Sequence, residues 1–220
     1  TGVRNVTGLQ LATKREWLQW WAKEGATFEP RKKSAATPRR SDNNRTVSYW
    51  NIPVRSERCT FVIDASGSMA QPFGTGSGTR LDEAKRQLGR VFETLPKKSK
   101  INVITFAGGT TPLFKKLSSL GKKQRKAATV FVTEMRSKGP TNVHDALAAA
   151  FADQDIDTIF LLTDGRPSVG PIVDPGQLAD EIKRWNLSRS IRIHTIAIGE
   201  KSDFLARLAK DSGGQHSVAR

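Results

Sequence analysis

The chain has 220 residues, 37% of them hydrophobic and 26% charged, with a net charge of +15 and one cysteine, Cys59. That length suits one α/β domain of ordinary size plus an appendage, and a lone cysteine excludes an intrachain disulfide. No apolar run approaches the roughly 20 residues that a bilayer-spanning helix needs, so no membrane span is expected within these residues.

From the N-terminus, residues 14–23 carry Trp17, Trp20 and Trp21 at a spacing that puts three rings on one face of a helix, within an extension expected over 1–27. Indoles at that density need a covering surface, and packing on a neighbouring domain accounts for them better than ligand binding does. Residues 28–54 read as a basic linker and lead-in, because 29–45 is rich in Pro, Ser and charge and Tyr49-Trp50-Asn51-Ile52-Pro53 then runs into the first strand. The principal domain is expected over 55–220. Short apolar or β-branched runs between turn signals predict strands at 59–64, 101–106, 156–162 and 191–198, with a short edge strand at 113–117. Helical spacing covers Leu81, Ala84, Leu88, Val91 and Phe92, then 123–135, 143–151, 176–185 and 203–210. Gly213-Gly214 stops the last helix, and a final strand follows it. Strands alternating with helices predict an α/β fold: a doubly wound, mostly parallel central sheet flanked by helices on both faces. The chain opens at Thr1 with neither an initiator Met nor a signal pattern, and is expected to be a piece of something longer.

The chemistry gathers after the first predicted strand. Cys59-Thr60-Phe61-Val62-Ile63 delivers Asp64-Ala65-Ser66-Gly67-Ser68, one carboxylate and two hydroxyls, to a tight turn. A hard divalent cation prefers oxygen ligands and parts with its waters reluctantly, so a shell of carboxylate, hydroxyl and water suits it. The turn Gly139-Pro140-Thr141-Asn142 leads into a helix, and the apolar run Ile159-Phe160-Leu161-Leu162-Thr163 ends in Asp164-Gly165. Such a run fits a strand buried on both faces, and ligands of open α/β sheets bind at the carboxyl ends of strands. Asp64, Ser66, Ser68, Thr141 and Asp164 are therefore expected on one rim.

Asp64-x-Ser66-x-Ser68, then Thr141, then Thr163-Asp164-Gly165, in that order on alternating strands and helices, resembles the von Willebrand factor A domain with its metal-ion-dependent adhesion site, over roughly residues 55–220. The resemblance implies that Ser66, Ser68 and Thr141 contact a metal ion through their hydroxyls while Asp64 and Asp164 bind it directly or through water. It implies Mg²⁺, or Mn²⁺ or Ca²⁺ in its place. It also implies an open coordination position that an Asp or Glu of a protein partner completes, hence a binding module rather than an enzyme. A Trp-rich helix, basic linker and A domain in this order are similar to large bacterial multidomain proteins in which helical repeats precede the A domain. That likeness implies the alternative of a scaffold docked on such repeats.

Other chemistries fit less well. A phosphatase of the haloacid-dehalogenase type needs a second acid at the position of Ser66, and a hydroxyl cannot protonate a leaving group there. Ser66 and Ser68 lack the Gly-x-Ser-x-Gly elbow of hydrolases, and His144, His194 and His216 lack metal-ligand spacing; His194 is expected to be a strand residue with a structural partner, and His144, three residues past Thr141, a first-turn helix residue in preference to one facing the rim. Gly74-Thr75-Gly76-Ser77-Gly78 lacks the Lys-Ser/Thr of a phosphate loop and reads as a flexible loop beside the site. Cys59, on a strand, is expected to be a buried and inert thiol. The charge is uneven: residues 1–58 hold 12 Lys or Arg against 5 Asp or Glu, and 115–138 hold 8 against 1. Lys115, Lys116, Lys122, Lys123, Arg125 and Lys126 precede Thr141, so a basic surface is expected to flank the metal and favour acidic partners. Nucleic acid is the lesser alternative, since no aromatics interleave with these cations and no nucleic-acid module is recognisable.

Overall fold

The computed structural model describes residues 47–220, together with Gln19, Ala22 and Lys23 of a preceding helix. The three N-terminal tryptophans and the linker up to residue 46 lie outside the described residues. Ser48–Tyr49 (β1) and Ile52–Pro53 (β2) pair as an antiparallel hairpin. Trp50 and Asn51, at its tip, both take the left-handed conformation (φ 50° and 64°), as a two-residue hairpin turn of the type I′ kind requires. A left-handed tryptophan costs about 1–2 kcal/mol. The anchorage of Tyr49 offsets this, since its fully buried ring meets Phe61 and Phe160 edge-on at 5.4 and 6.0 Å. The hairpin is not among the expected elements, because each two-residue strand is too short to show a period.

The remaining elements follow in chain order: Arg58–Asp64 (β3), Arg80–Thr94 (α1), Lys100–Phe106 (β4), Thr110–Pro112 (β5), Ser118–Ser119 (β6), Lys122–Glu134 (α2), Val143–Phe151 (α3), Thr158–Thr163 (β7), Pro175–Asn186 (α4), Arg192–Ile198 (β8), Asp203–Ser212 (α5) and His216–Ala219 (β9). The main sheet runs β5-β4-β3-β7-β8-β9, with β6 also paired to β4. β3, β4, β7, β8 and β9 are parallel, while β5 and β6 run antiparallel to β4. The predicted doubly wound α/β fold is therefore the observed one.

Alternation along the strands sorts the core into two layers. Phe61, Ile63, Ile101, Val103, Phe160 and Leu162 face α1, α2 and the hairpin, whereas Val62, Ile104, Phe106, Ile159 and Leu161 face α3, α4 and α5. Strands buried on both sides read as continuous apolar runs, which is why Thr158–Thr163 was legible as a strand. Four of the helices α1–α5 open on a side-chain cap: Thr79, Asn142, Asp174 and Ser202. Each such cap is worth about 1 kcal/mol.

One expected element differs. Residues 113–117 form no strand; the edge pairing lies on either side of them, in β5 and β6. Pro112 lacks an N–H, and the side chain of Asn102 takes over where the ladder stops. Asn102 Nδ2 donates to Phe114 O at 2.8 Å, and Phe114 N donates to Asn102 Oδ1 at 3.0 Å. A side-chain amide thus stands in for a backbone partner through the bend.

Candidate metal centre

In chain order the parallel strands β4-β3-β7-β8-β9 are the second, first, third, fourth and fifth. The connection that leaves β3 moves to one side of it and the later strands lie on the other, so the crevice between the carboxyl ends of β3 and β7 is the topological switch point where open α/β sheets bind ligands. Asp64 ends β3 and Asp164 follows β7 directly. Beyond β3 the chain turns at once into a 3-10 turn, Gly67–Ala70, anchored by the fully buried Met69. A third segment closes on it: Lys138 N donates to Ala65 O at 2.8 Å, and Gly67 N donates to Gly139 O at 2.8 Å. These bonds bring Thr141 to the same rim. Its own backbone is held by Ser168, whose Oγ accepts from Thr141 N at 2.9 Å while Ser168 N donates to Thr141 O at 2.9 Å.

The side chains form a connected set. Asp64 is fully buried; its Oδ1 accepts from Ser66 N at 2.7 Å and its Oδ2 accepts from the Thr163 hydroxyl. Ser66 Oγ and Ser68 Oγ lie 3.1 Å apart, and Ser68 Oγ donates to Asp164 Oδ1 at 2.7 Å. Gly165 lies beside the hydroxyls of Thr141 and Ser68: a β-carbon on it would sit 3.7 Å from the first and 3.9 Å from the second. Asp64, Ser66, Ser68, Thr141 and Asp164 are thus on one rim, drawn from segments that span about a hundred positions. Burial, partly offset by the bonds from Thr163 and Ser66, pushes the Asp64 carboxyl up to about 6, and the nearby Asp164 charge adds to the rise.

This donor set fits a hard divalent cation: two carboxylates and three hydroxyls, all oxygen, in a buried and hydrogen-bonded frame. No group of three or more His, Cys, Asp or Glu among the described residues is arranged to hold an ion, so a cation here depends on the hydroxyls. A cavity of about 440 Å³ opens beside Asp164, lined by Arg166, Asp174, Glu200, Lys201 and Asp203 among others.

Two participants lie outside the expected ligand set. Thr163 belongs to the acid-containing turn of the motif, and its hydroxyl is a direct partner of Asp64. Arg80, the first residue of α1, reaches across 84 positions to Asp164, with Nη1 to Oδ2 at 2.7 Å. Three of the lysines fall elsewhere than expected. Lys122, Lys123 and Lys126 open α2 beside the start of β4, where Leu120 N donates to Ser99 O and Lys100 pairs with Ser119. That is the end of the sheet opposite Asp64 and Asp164. Of the basic residues in 115–138, Lys138 reaches the rim, through its backbone.

The histidines have structural partners. Nδ1 of His144 lies 2.9 Å from Asp145 Oδ1 and its ring packs on Trp185; His194 Nδ1 accepts from Gln215 N at 3.0 Å; His216 Nδ1 lies 2.9 Å from Thr195 Oγ1. Cys59 is buried, and burial pushes its thiol up to about 12.

Comparison with known proteins agrees with this architecture. A family model described as the von Willebrand factor type A domain matches residues 58–218. Mouse inter alpha-trypsin inhibitor heavy chain 4 is 26% identical over 177 residues, covering 74% of this chain and 18% of its own length. The chain therefore spans about a fifth of that relative. Among solved structures, a von Willebrand factor type A protein from Catenulispora acidiphila has a TM-score of 0.64 at 23% identity, covering 77% of this chain and 40% of that one. Proximal thread matrix protein 1 from the mussel byssus, with a zinc-occupied adhesion-site motif, has a TM-score of 0.52 at 19% identity over 73% of this chain and 41% of its own. At these identities the structural likenesses speak for the fold alone.

Proposed function

Because the chain belongs to the von Willebrand factor type A domain family, we propose that it is a protein-binding module, not an enzyme, whose rim holds a divalent cation that an acidic side chain of the partner completes. The observation that carries this reading is the convergence of Asp64, Ser66, Ser68, Thr141 and Asp164 at the β3/β7 switch point, linked by the Ser66–Ser68–Asp164 chain of contacts. Ser66, Ser68 and Thr141 would supply neutral oxygens, and Asp64 and Asp164 the negative charge. The hydroxyl of Ser68 donates to Asp164 and so accepts from Ser66, which leaves one lone pair for an ion. The bound cation would supply a site for an anionic oxygen, and Mg²⁺ suits the all-oxygen set, with Mn²⁺ or Ca²⁺ as substitutes. Zinc in the mussel protein's motif shows that a divalent ion is held on this fold in that protein.

The test is retention of this chain on an array of peptides each carrying one Asp or Glu, in Mg²⁺ or in EDTA, with the Asn or Gln analogue of each peptide beside it. Retention that EDTA and the amide analogues both remove supports the reading. Retention indifferent to either contradicts it.

A further inference from the structure

Arg80 is placed with more care than a surface ion pair needs. The capping box at the start of α1 fixes its backbone: Thr79 N donates to Asp82 Oδ2 at 3.0 Å and Asp82 N donates to Thr79 Oγ1 at 3.1 Å. Arg80 N itself donates to Gln71 O at 2.9 Å, tying the loop after the 3-10 turn to the helix. The guanidinium lies against Gly199, just after β8. A β-carbon at Gly199 would sit 2.7 Å from Arg80 Nη2 and 2.9 Å from Cζ, and the residue holds φ +94°, a conformation that favours glycine. The Arg80 side chain is 18% exposed, and the Asp164 side chain that it meets is fully buried. Both oxygens of Asp164 are then committed, Oδ1 to Ser68 and Oδ2 to Arg80.

We propose that Arg80 is a resident cation of the site, which neutralises Asp164, lowers the affinity for free divalent ions and makes occupancy depend on the partner's carboxylate. The inference rests on the cation site proposed above and deepens it. Counting Asp64, Asp164 and Arg80, the frame presents one net negative charge to an incoming ion of charge +2. A partner carboxylate supplies the second, so ion and partner bind with positive coupling. A purely structural ion pair would instead leave ion affinity unchanged, or lower it, when removed.

The experiment is calorimetric titration of the chain with Mn²⁺ alone, for the parent, Arg80→Gln, Arg80→Lys and Asp64→Ala. Removing one positive charge at contact range is expected to tighten Mn²⁺ by about tenfold or more in Arg80→Gln. Arg80→Lys keeps the charge and is expected to stay within about threefold of the parent, and Asp64→Ala is expected to abolish binding. Should Arg80→Gln fail to fold, Arg80→Met keeps the stem against Gly199 and reads the same effect. Binding in the parent that is unchanged or weaker in Arg80→Gln overturns this inference and leaves the cation site standing. Absence of Asp64-dependent binding in every variant overturns both.

Discussion

Thr163→Val isolates the hydrogen bond that supports the first carboxylate of the site. Thr163 is 1% exposed at the end of β7, and its hydroxyl donates to Asp64 Oδ2, itself in a fully buried side chain. Valine keeps the shape and removes the donor, leaving Asp64 with Ser66 as its remaining hydrogen-bond partner. Losing a hydrogen bond to a buried charge costs about 1.5–3 kcal/mol. For a domain of this size that is a fall in Tm of about 4–10 °C in metal-free buffer at pH 7.5. The cost must depend on pH, and its sign follows from Asp64. Burial raises that carboxyl from 3.8 to about 6 in the fold, so the fold bears the cost of the ionised form above about 6 and sheds it as the pH falls. At pH 5 the carboxyl is largely protonated, and Thr163→Val is then expected to cost about half as much or less. Urea unfolding of parent and variant at the two pH values measures both. Equal costs at pH 7.5 and 5, or a cost below about 0.5 kcal/mol at pH 7.5, would refute the reasoning.

Two further predictions concern the fold. Phe160 stacks on Phe61 at 5.2 Å and on His194 at 4.8 Å and is fully buried, so Phe160→Ala should cost about 3–5 kcal/mol, seen as a lower urea midpoint with little change in slope. His194 is held neutral: burial first, then the Arg192 charge, lower its pKa from 6.5 to about 4. Its contribution is complete above 6.5 and lost as the pH falls towards 4, amounting to at most about 3 kcal/mol. In His194→Gln the drop in stability between pH 6.5 and 4 should shrink by that contribution, and an unchanged drop would contradict it.

What the sequence revealed and what it hid divide by range. Asp64-x-Ser66-x-Ser68 and Asp164-Gly165 each close an apolar run that fits a doubly buried strand, so their places at the strand ends followed from local pattern. The helices followed from spacing, to within two residues at each end. Arg80 did not follow: an arginine at the first position of a helix is ordinary, and only the crossing from β3 through α1 beside β7 brings it to a carboxylate 84 positions away. Thr163 was readable as strand but not as a partner of Asp64, because that pairing depends on β3 and β7 being neighbours. The basic stretch misled for a related reason. Lys122, Lys123 and Lys126 are close to Thr141 in sequence, but α2 spans the height of the sheet and separates them from the rim. The bend at 113–117 was hidden because a side chain, Asn102, does the work of a strand there.

The central claim is that two carboxylates and three hydroxyls at the β3/β7 switch point form one divalent-cation site. Calorimetric titration of the purified chain with Mg²⁺, beside Asp64→Ala at matched ionic strength, tests it most directly. The account predicts saturable single-site binding in the parent and none in a variant that remains folded by circular dichroism. Saturable binding of equal strength in Asp64→Ala, or none in the parent and in Arg80→Gln alike at any accessible concentration, would contradict it.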